Sequence, residues 1–264
     1  YIRDIENGEV VVIDKKGIKS YKPFPKIKAR PCVFEYIYFA RPDSVMGGKN
    51  IYECRKKMGK QLSRELKTIA DIVIPVPDSG VPAALGFAEE AKIPYNLGII
   101  RNHYVGRTFI EPTQTIRQLG IKLKHNTNKI LIHNKKVVLI DDSIVRGTTA
   151  IKIVEMMRNA GATEVHMRIS SPPIKYPDFY GIDTPTISEL IASSKSVEEI
   201  RELLKLDSLH FLSLDGLYKS MGHKSRDKNN PQYTDHCFTG DYPTKLVDRD
   251  EGALANQLSL LNQK

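Results

Sequence analysis

Apolar and polar positions along the chain follow two different periods. Short apolar or alternating runs, which are typical of buried strands, occur at residues 71–76, 94–100, 137–140 and 164–169. Between these runs, apolar residues repeat every three to four positions, as in amphipathic helices, at residues 50–66, 81–91 and 153–160. Strands that alternate with helices in this order predict an α/β fold with a mostly parallel sheet covered on both faces.

Three further segments have local signals. Residues 8–21 predict a small β-hairpin, and Ser196 with Glu199 forms a capping box that predicts a helix start. Some 35 residues between the strands at 94–100 and 137–140 are rich in Lys, Asn, Thr and Gln. A loop of that length inside a compact domain is usually functional or mobile, so we expect part of a site there.

Composition narrows the function classes. The 264 residues suffice for one large domain, and no apolar run or signal-peptide pattern predicts a membrane segment. The cysteines Cys32, Cys54 and Cys237 are few and lack short metal-ligand spacing, which favours a reducing cytoplasm. The net charge of +9 is spread along the chain without interleaved aromatics, so a polyanionic small substrate is a better explanation than nucleic acid.

Residues 137–149, VVLIDDSIVRGTT, carry the strongest chemical signal. Asp141 and Asp142 follow a buried strand, where they can accept hydrogen bonds from a vicinal diol or face Mg²⁺. The backbone N–H groups of residues 147–149, at the start of a helix, can bind a phosphate. An acidic turn with a threonine cap is the alternative, but the ordered combination favours a site for a phosphorylated sugar.

Two other segments support that interpretation. Pro77-Asp78-Ser79-Gly80 ends a predicted strand, and Gly80 would let the backbone approach a ligand closely. By itself this sequence is an ordinary β-turn, but here it precedes an Ala-rich helix in a chain with a phosphate motif. The long loop contains Phe109 and Ile110, which a solvated linker has little use for, so we expect a lid that closes over the site.

The run DDSIVRGTT resembles the phosphoribosyl pyrophosphate (PRPP) motif of type I phosphoribosyltransferases and, more narrowly, the form found in glutamine PRPP amidotransferases (amidophosphoribosyltransferases). The resemblance covers nearly the whole chain. It extends to ARPDS at 40–44, IPVPDSG at 74–80, YVGRTFIEPTQ at 104–114, ISSPPI at 169–174, FYGID at 179–183, ELIASS at 189–194 and CFTGDYPT at 237–244. It implies a type I phosphoribosyltransferase fold with a small hood and a C-terminal extension.

The resemblance also implies roles for individual residues. The PRPP-binding positions that it matches are Asp78, Ser79, Gly80, Asp141, Asp142, Ser143, Arg146, Gly147, Thr148 and Thr149. The three positions associated with Mg²⁺ are Ser79, Asp141 and Asp142. The catalytic loop would contribute Arg101, Tyr104 and Arg107. Relatives often carry Lys where Arg101 stands and Arg where His103 stands, and both changes keep a possible cation.

The activity that the resemblance implies is replacement of the C1 pyrophosphate of PRPP by ammonia, which gives 5-phosphoribosylamine in the first step of purine synthesis. A homotetramer inhibited by purine nucleotides is expected. The family's glutaminase domain uses an N-terminal cysteine, whereas this sequence begins with Tyr1, so we expect no glutamine hydrolysis from these residues. The alternatives are a salvage phosphoribosyltransferase that uses a nucleobase and a PRPP-sensing regulator without catalysis.

The expected organisation is a glutaminase remnant and linker at 1–24, a phosphoribosyltransferase domain at 25–230 and a C-terminal extension at 231–264. Some family members hold a [4Fe-4S] cluster on four cysteines. Cys32 and Cys237 match two of those positions, but Asp178 and Thr234 occupy the other two. Iron–sulfur sites need thiolates, so no cluster is expected.

Overall fold

The computed structural model describes residues 3–102, 125–182, 184 and 186–246. In the described residues the strands are β1 (Val10–Asp14), β2 (Gly17–Tyr21), β3 (Val45–Met46), β4 (Lys49–Asn50), β5 (Ile72–Pro75), β6 (Ile99–Arg101), β7 (His125–Thr127), β8 (Lys136–Asp141), β9 (Glu164–Ile169) and β10 (Ser208–Phe211). The helices are α1 (Ile51–Glu65), α2 (Val81–Ala91), α3 (Lys129–Ile132), α4 (Thr148–Asn159), α5 (Ile191–Ser194), α6 (Val197–Leu203), α7 (Leu214–Ser220) and α8 (His236–Thr239). A π-helical turn covers Glu35–Phe39 and a 3₁₀ turn covers Ile187–Glu189.

The central sheet has four parallel strands in the order β10-β9-β8-β5. In its register Pro75 lies beside Ile140, and Asp141 lies beside Ile169. The carboxyl ends of β5, β8 and β9 therefore meet at one edge of the sheet, where open α/β sheets bind their ligands. The predicted α/β fold with a mostly parallel sheet is confirmed.

Alternate residues of β8 enter two different hydrophobic cores. Val138 and Ile140 belong to the core that α1, α2 and α7 cover, whereas Val137 and Leu139 belong to the core that α4 and α6 cover. All four side chains are fully buried. A strand buried on both faces needs apolar residues at consecutive positions, which explains the unbroken run in the sequence.

Helices α1 and α2 pack with their backbones in contact. A Cβ atom on Gly59 of α1 would lie 1.8 Å from the carbonyl oxygen of Ala83, and one on Gly86 of α2 would lie 1.9 Å from that of Lys56. Side chains at these two positions would force the helices apart. The pair fixes where α2 begins, directly after the turn at residues 77–80.

One predicted strand is wrong in its extent. Residues 94–96 bond to Val73 in a single parallel bridge, but the chain then leaves the sheet and pairs antiparallel as β6 with β7. The break falls at Gly98, which packs against Ile74. A Cβ atom on Gly98 would lie 2.3 Å from the Cδ1 atom of Ile74. Within the long polar segment, residues 125–127 form β7 and residues 129–132 form α3.

The first residues of the predicted C-terminal extension pack along the start of the predicted phosphoribosyltransferase domain. Thr234 N donates to Pro31 O at 2.9 Å, and Val33 N donates to Thr234 O at 3.0 Å. The division of the chain into three parts stays a prediction. In the part of the chain that the structure describes, none of the helices combines the length and the apolar character needed to cross a membrane.

Candidate functional site

The acidic pair lies at the carboxyl end of β8, as the sequence predicts. Asp141 is 8% exposed and Asp142 is 5% exposed. Asp142 N donates to Asp141 Oδ1 at 2.9 Å, and Ser143 Oγ donates to Asp142 Oδ2 at 2.8 Å. Burial, reinforced by the adjacent charge of Asp142, raises the pKa of Asp141 well above its usual value. A bound cation or a diol that donates hydrogen bonds would favour the ionised pair.

The turn before α4 follows the acidic pair in the same segment, and its geometry suits an anion. Gly147 has φ of 79°, a left-handed conformation that suits glycine, and its carbonyl accepts from Ile151 N at 3.0 Å. Thr148 and Thr149 are exposed, and α4 has no side-chain cap among the described residues. Their N–H groups and hydroxyls, with the positive end of the helix dipole, suit a phosphate.

The turn at residues 77–80 packs against the end of β8. Val76 N donates to Ile140 O at 2.8 Å, and Gly80 N donates to Val76 O at 3.0 Å. The peptide bond between Pro77 and Asp78 is cis. Gly80 is buried and Ser79 is half-buried. The second predicted phosphate-binding turn therefore lies beside the residue that precedes Asp141.

Arg101 joins a third predicted segment to this edge. Its guanidinium forms an ion pair with the exposed carboxylate of Asp78, in the turn. The residue ends β6 and pairs with His125 of β7. A cation of the predicted catalytic loop thus lies at the turn whose residues 78–80 match PRPP-binding positions of the family.

Other predicted residues are placed differently or lie outside the description. Arg146 is exposed, and its Nε donates to Glu189 Oε1 at 3.0 Å. In this arrangement Arg146 is bound to a carboxylate, which a phosphate would have to replace. Tyr104 and Arg107, with His103, lie outside the described residues.

Arg55 of α1 is a charged residue near the site that the sequence analysis missed. It is 4% exposed, and it donates to the carbonyl oxygens of Ala40 at 2.7 Å and Tyr36 at 3.1 Å. Burial lowers the pKa of Arg55, and the nearby negative charge of Asp142 opposes that shift. The helical spacing could have predicted its burial, because position 55 lies on the same face of α1 as the buried residues Met58 and Leu62.

The acidic pair fits a magnesium ion that is shared with a substrate. Magnesium is usually held by one or two carboxylates together with substrate phosphates, rather than by a complete protein cage. Asp141 and Asp142 supply buried carboxylate oxygens, and Ser79 supplies a hydroxyl in the adjacent turn. The described residues contain no group of three or more His, Cys, Asp or Glu side chains that could hold a metal ion.

The comparisons with known proteins agree with this geometry. Residues 47–170 match the family model "Phosphoribosyl transferase domain". The chain is 55% identical to the amidophosphoribosyltransferase of Rhizobium etli over 99% of its length and 52% identical to that of Bacillus subtilis over 93%. These matches cover 54% and 52% of the two relatives.

Two solved structures share the fold over 93% of the chain, each with a TM-score of 0.82. One is the glutamine PRPP amidotransferase of B. subtilis complexed with ADP and GMP, 52% identical, of which 54% is covered. The other is described as the allosteric regulatory enzyme of purine biosynthesis, 51% identical, of which 52% is covered.

The parallel sheet, with a turn before α2 and a turn before α4 at its carboxyl edge, is a type I phosphoribosyltransferase fold. Within that class, the chain belongs to the amidophosphoribosyltransferase family, whose phosphoribosyltransferase part it matches. The chain spans about half the length of the curated relatives that it matches.

Proposed function

We propose that this chain transfers the phosphoribosyl group of PRPP to ammonia, with 5-phosphoribosylamine and pyrophosphate as products. The observation that carries the proposal is the position of the buried Asp141–Asp142 pair between the turn before α2 and the turn before α4. Both turns have backbone groups that suit a phosphate. PRPP has the matching order of groups, with a diol between a 5′-phosphate and a C1 pyrophosphate. The amidophosphoribosyltransferase relatives support ammonia as the acceptor.

The end of β8 and the start of α4 would hold the ribose 5-phosphate half of PRPP. Residues 146–149 would bind the 5′-phosphate, with the N–H groups of Gly147 to Thr149 donating to its oxygens. Asp141 and Asp142 would accept hydrogen bonds from the 2′ and 3′ hydroxyls, and Ser143 would orient Asp142 through its present hydrogen bond. These contacts fix the C1 atom relative to the pyrophosphate turn.

Residues 78–80 would hold the leaving pyrophosphate, with Arg101 as a neighbouring cation. Ser79, Asp141 and Asp142 would hold Mg²⁺, which supplies positive charge to the leaving group when it is bound. The ion pair between Arg101 and Asp78 would exchange for contacts with pyrophosphate oxygens. No side-chain nucleophile is needed, because stabilisation of the departing charge suffices.

Tyr104 and Arg107 would act in a lid over the reacting atoms. Departure of pyrophosphate leaves positive charge on the ribose, and water would compete with ammonia for it. Tyr104 would help to exclude water, and Arg107 would add charge against the pyrophosphate. This role is a prediction from the sequence, because both residues lie outside the described ones.

The wider context is proposed in the same terms. Ammonia would come from a glutaminase domain in a complete enzyme, and the product would enter purine synthesis. Purine nucleotides would act as inhibitors, since the B. subtilis relative was solved with ADP and GMP. A homotetramer and a cytoplasmic location stay predictions.

The proposal is tested by pyrophosphate release from PRPP and Mg²⁺ with different acceptors. Ammonium, at a pH that leaves part of it as free ammonia, should support release, whereas glutamine should not. Adenine, guanine and orotate should give no more release than buffer alone. Faster release with a nucleobase would favour the salvage alternative, and tight PRPP binding without release in any arm would favour the regulator.

A further inference from the structure

The four positions that the family resemblance assigns to cluster cysteines come together in this fold. Cys32 and Thr234 form a parallel β-bridge. The carbonyl oxygen of Cys237 accepts from Lys175 N at 2.9 Å, which brings the start of α8 beside the segment that leads to Asp178. The place of the cluster is therefore kept, while two of its four thiolates are replaced by a carboxylate and a hydroxyl.

The side chains at these four positions do not fit a [4Fe-4S] cluster. Asp178 and Thr234, which replace two cysteines, already form hydrogen bonds within the protein. Asp178 Oδ1 accepts from the N–H groups of residues 180, 181 and 182 at 2.7, 3.0 and 3.1 Å. Asp178 Oδ2 lies 2.8 Å from His236 Nε2. Thr234 Oγ1 donates to Arg30 O at 2.8 Å. A cluster needs four thiolates, and only Cys32 and Cys237 supply sulfur here.

Two tyrosine rings contact the ring of His236. The ring stacks on Tyr242 with centroids 4.8 Å apart, and it makes a T-shaped contact with Tyr180 with centroids 5.2 Å apart. Tyr242 in turn donates its hydroxyl to Pro177 O at 2.8 Å. The side chains of Asp178 and His236 are 4% and 1% exposed. The contact between them is thus buried, and aromatic rings fix its geometry.

These contacts, together with the backbone bonds of residue 234, join three separate parts of the chain. Asp178 accepts backbone hydrogen bonds within the loop at 178–182, and His236, the first residue of α8, contacts Asp178. Residues 234 and 31–33 are bonded through their backbones. Backbone bonds from Lys175 N and Tyr176 N to Cys237 O, at 2.9 and 3.1 Å, tie the same two segments together.

We propose that Asp178, Tyr180, His236 and Tyr242 form a protein-only substitute for the iron–sulfur cluster, which we name the 178–236 clasp. It joins residues 176–182 to residues 234–242 with hydrogen bonds, the close Asp178–His236 contact and ring contacts instead of iron–sulfur bonds. Residue 234 is bonded in turn to residues 30–33. The folded chain consequently needs neither iron nor protection from oxygen. The clasp is independent of the proposed PRPP chemistry, and its test measures metal content and stability.

The first experiment looks for a cluster directly. The chain is purified without oxygen, incubated with ferrous iron and sulfide, and desalted, beside a Cys32→Ser, Cys237→Ser variant that lacks the thiols. We expect equal iron content in the two proteins, no visible cluster absorbance, and the same thermal midpoint in air and without oxygen. About four iron atoms per chain in the unsubstituted protein alone would overturn the proposal.

The second experiment tests the clasp itself through stability. Asp178→Asn and His236→Phe should each lower the thermal midpoint by roughly 6 °C or more, because each breaks a buried polar contact in a fold of this size. Glu198→Gln, which removes an exposed ion pair with Arg201, is the control and should change the thermal midpoint little. Losses no greater than those of the control would overturn the proposal.

A double-mutant cycle separates the contact from general sensitivity of the region. If Asp178 and His236 act through each other, the double variant should lose clearly less than the sum of the two single losses. Additive losses would mean that the two residues stabilise the fold independently, and the clasp would be rejected. Should His236→Phe fail to fold, His236→Gln takes its place in the cycle.

Discussion

Gly80 and Ile140 meet through their backbones at the edge of the sheet: a Cβ atom on Gly80 would lie 2.4 Å from the carbonyl oxygen of Ile140. The same carbonyl accepts a hydrogen bond from Val76 N. The proposed pyrophosphate turn is therefore pressed against the residue that precedes the acidic pair. Nothing larger than a hydrogen atom fits between the two parts of the site.

Replacing Gly80 by alanine should displace the pyrophosphate turn and leave most of the fold intact. A shift of about 1 Å in a group that positions substrate can cost on the order of 10²-fold in rate, so kcat/KM for PRPP should fall by about that factor. Gly181→Ala is the matched control, because a Cβ there meets no atom within 4 Å. Unchanged kinetics in Gly80→Ala would mean that the turn does not hold the substrate.

Neutralising either member of the acidic pair should cost activity and spare the fold. Asp141→Asn and Asp142→Asn should each lower the rate of pyrophosphate release by about 10²-fold or more, because each removes a charge that interacts with the diol or Mg²⁺. Since burial already raises the pKa of Asp141, its replacement should not lower the urea midpoint. Asp14→Asn, in the exposed β1–β2 hairpin, is the control, and activity equal to that control would refute the assigned role.

Removing the cation of Arg101 should weaken substrate binding more than it weakens the fold. The ion pair with Asp78 is partly exposed, and such pairs contribute about 0–1 kcal/mol to stability. Arg101→Met should nevertheless raise KM for PRPP and reduce inhibition by added pyrophosphate, most clearly at low ionic strength. Arg64→Met breaks a comparable exposed pair with Glu90 and should leave both constants unchanged.

Stability should fall as the pH drops from about 7.5 to about 5.5. Burial is the main cause of a lowered pKa in four histidines: His166, His210, His223 and His236. Below about pH 6.5 the unfolded chain takes up protons that these folded histidines resist, so the free energy of unfolding decreases. The raised pKa of Asp141 acts in the opposite direction, because the folded state then binds a proton more readily.

Urea unfolding in an Asp141→Asn background measures the histidine contribution to this pH dependence. Adding His166→Gln should reduce the slope of stability against pH, since one of the four groups is removed. A free energy of unfolding that is flat or rises as the pH falls through this window would contradict the prediction.

The parts of the fold that local pattern determines were predictable. The sequence indicated α2 at residues 81–91 and β9 at residues 164–169, and the structure has the same bounds. The capping box of Ser196 and Glu199 is also confirmed. In each case the signal lies within neighbouring residues, either as a period or as a side chain that bonds to the nearest backbone.

Features that depend on distant contacts were not predictable. The strand expected at 94–100 leaves the sheet near Gly98, which packs against Ile74, 24 positions away in the sequence. Arg55 was not singled out from the sequence, and its burial near Asp142 depends on how α1 packs in the fold. In the sequence, Asp178 stands at a position where some relatives carry a cluster cysteine. Its contact with His236 depends on the fold, because the two residues are far apart in the sequence.

The contact between α1 and α2 restricts how this chain can vary. Gly59 and Gly86 have no side chain and take no part in the proposed chemistry, yet any larger residue at either position separates the helices. Separation would move the start of α2, and with it the pyrophosphate turn, relative to Arg55 on α1. A saturation scan scored on activity would therefore find two intolerant positions far from the reacting atoms, and they could be mistaken for substrate contacts.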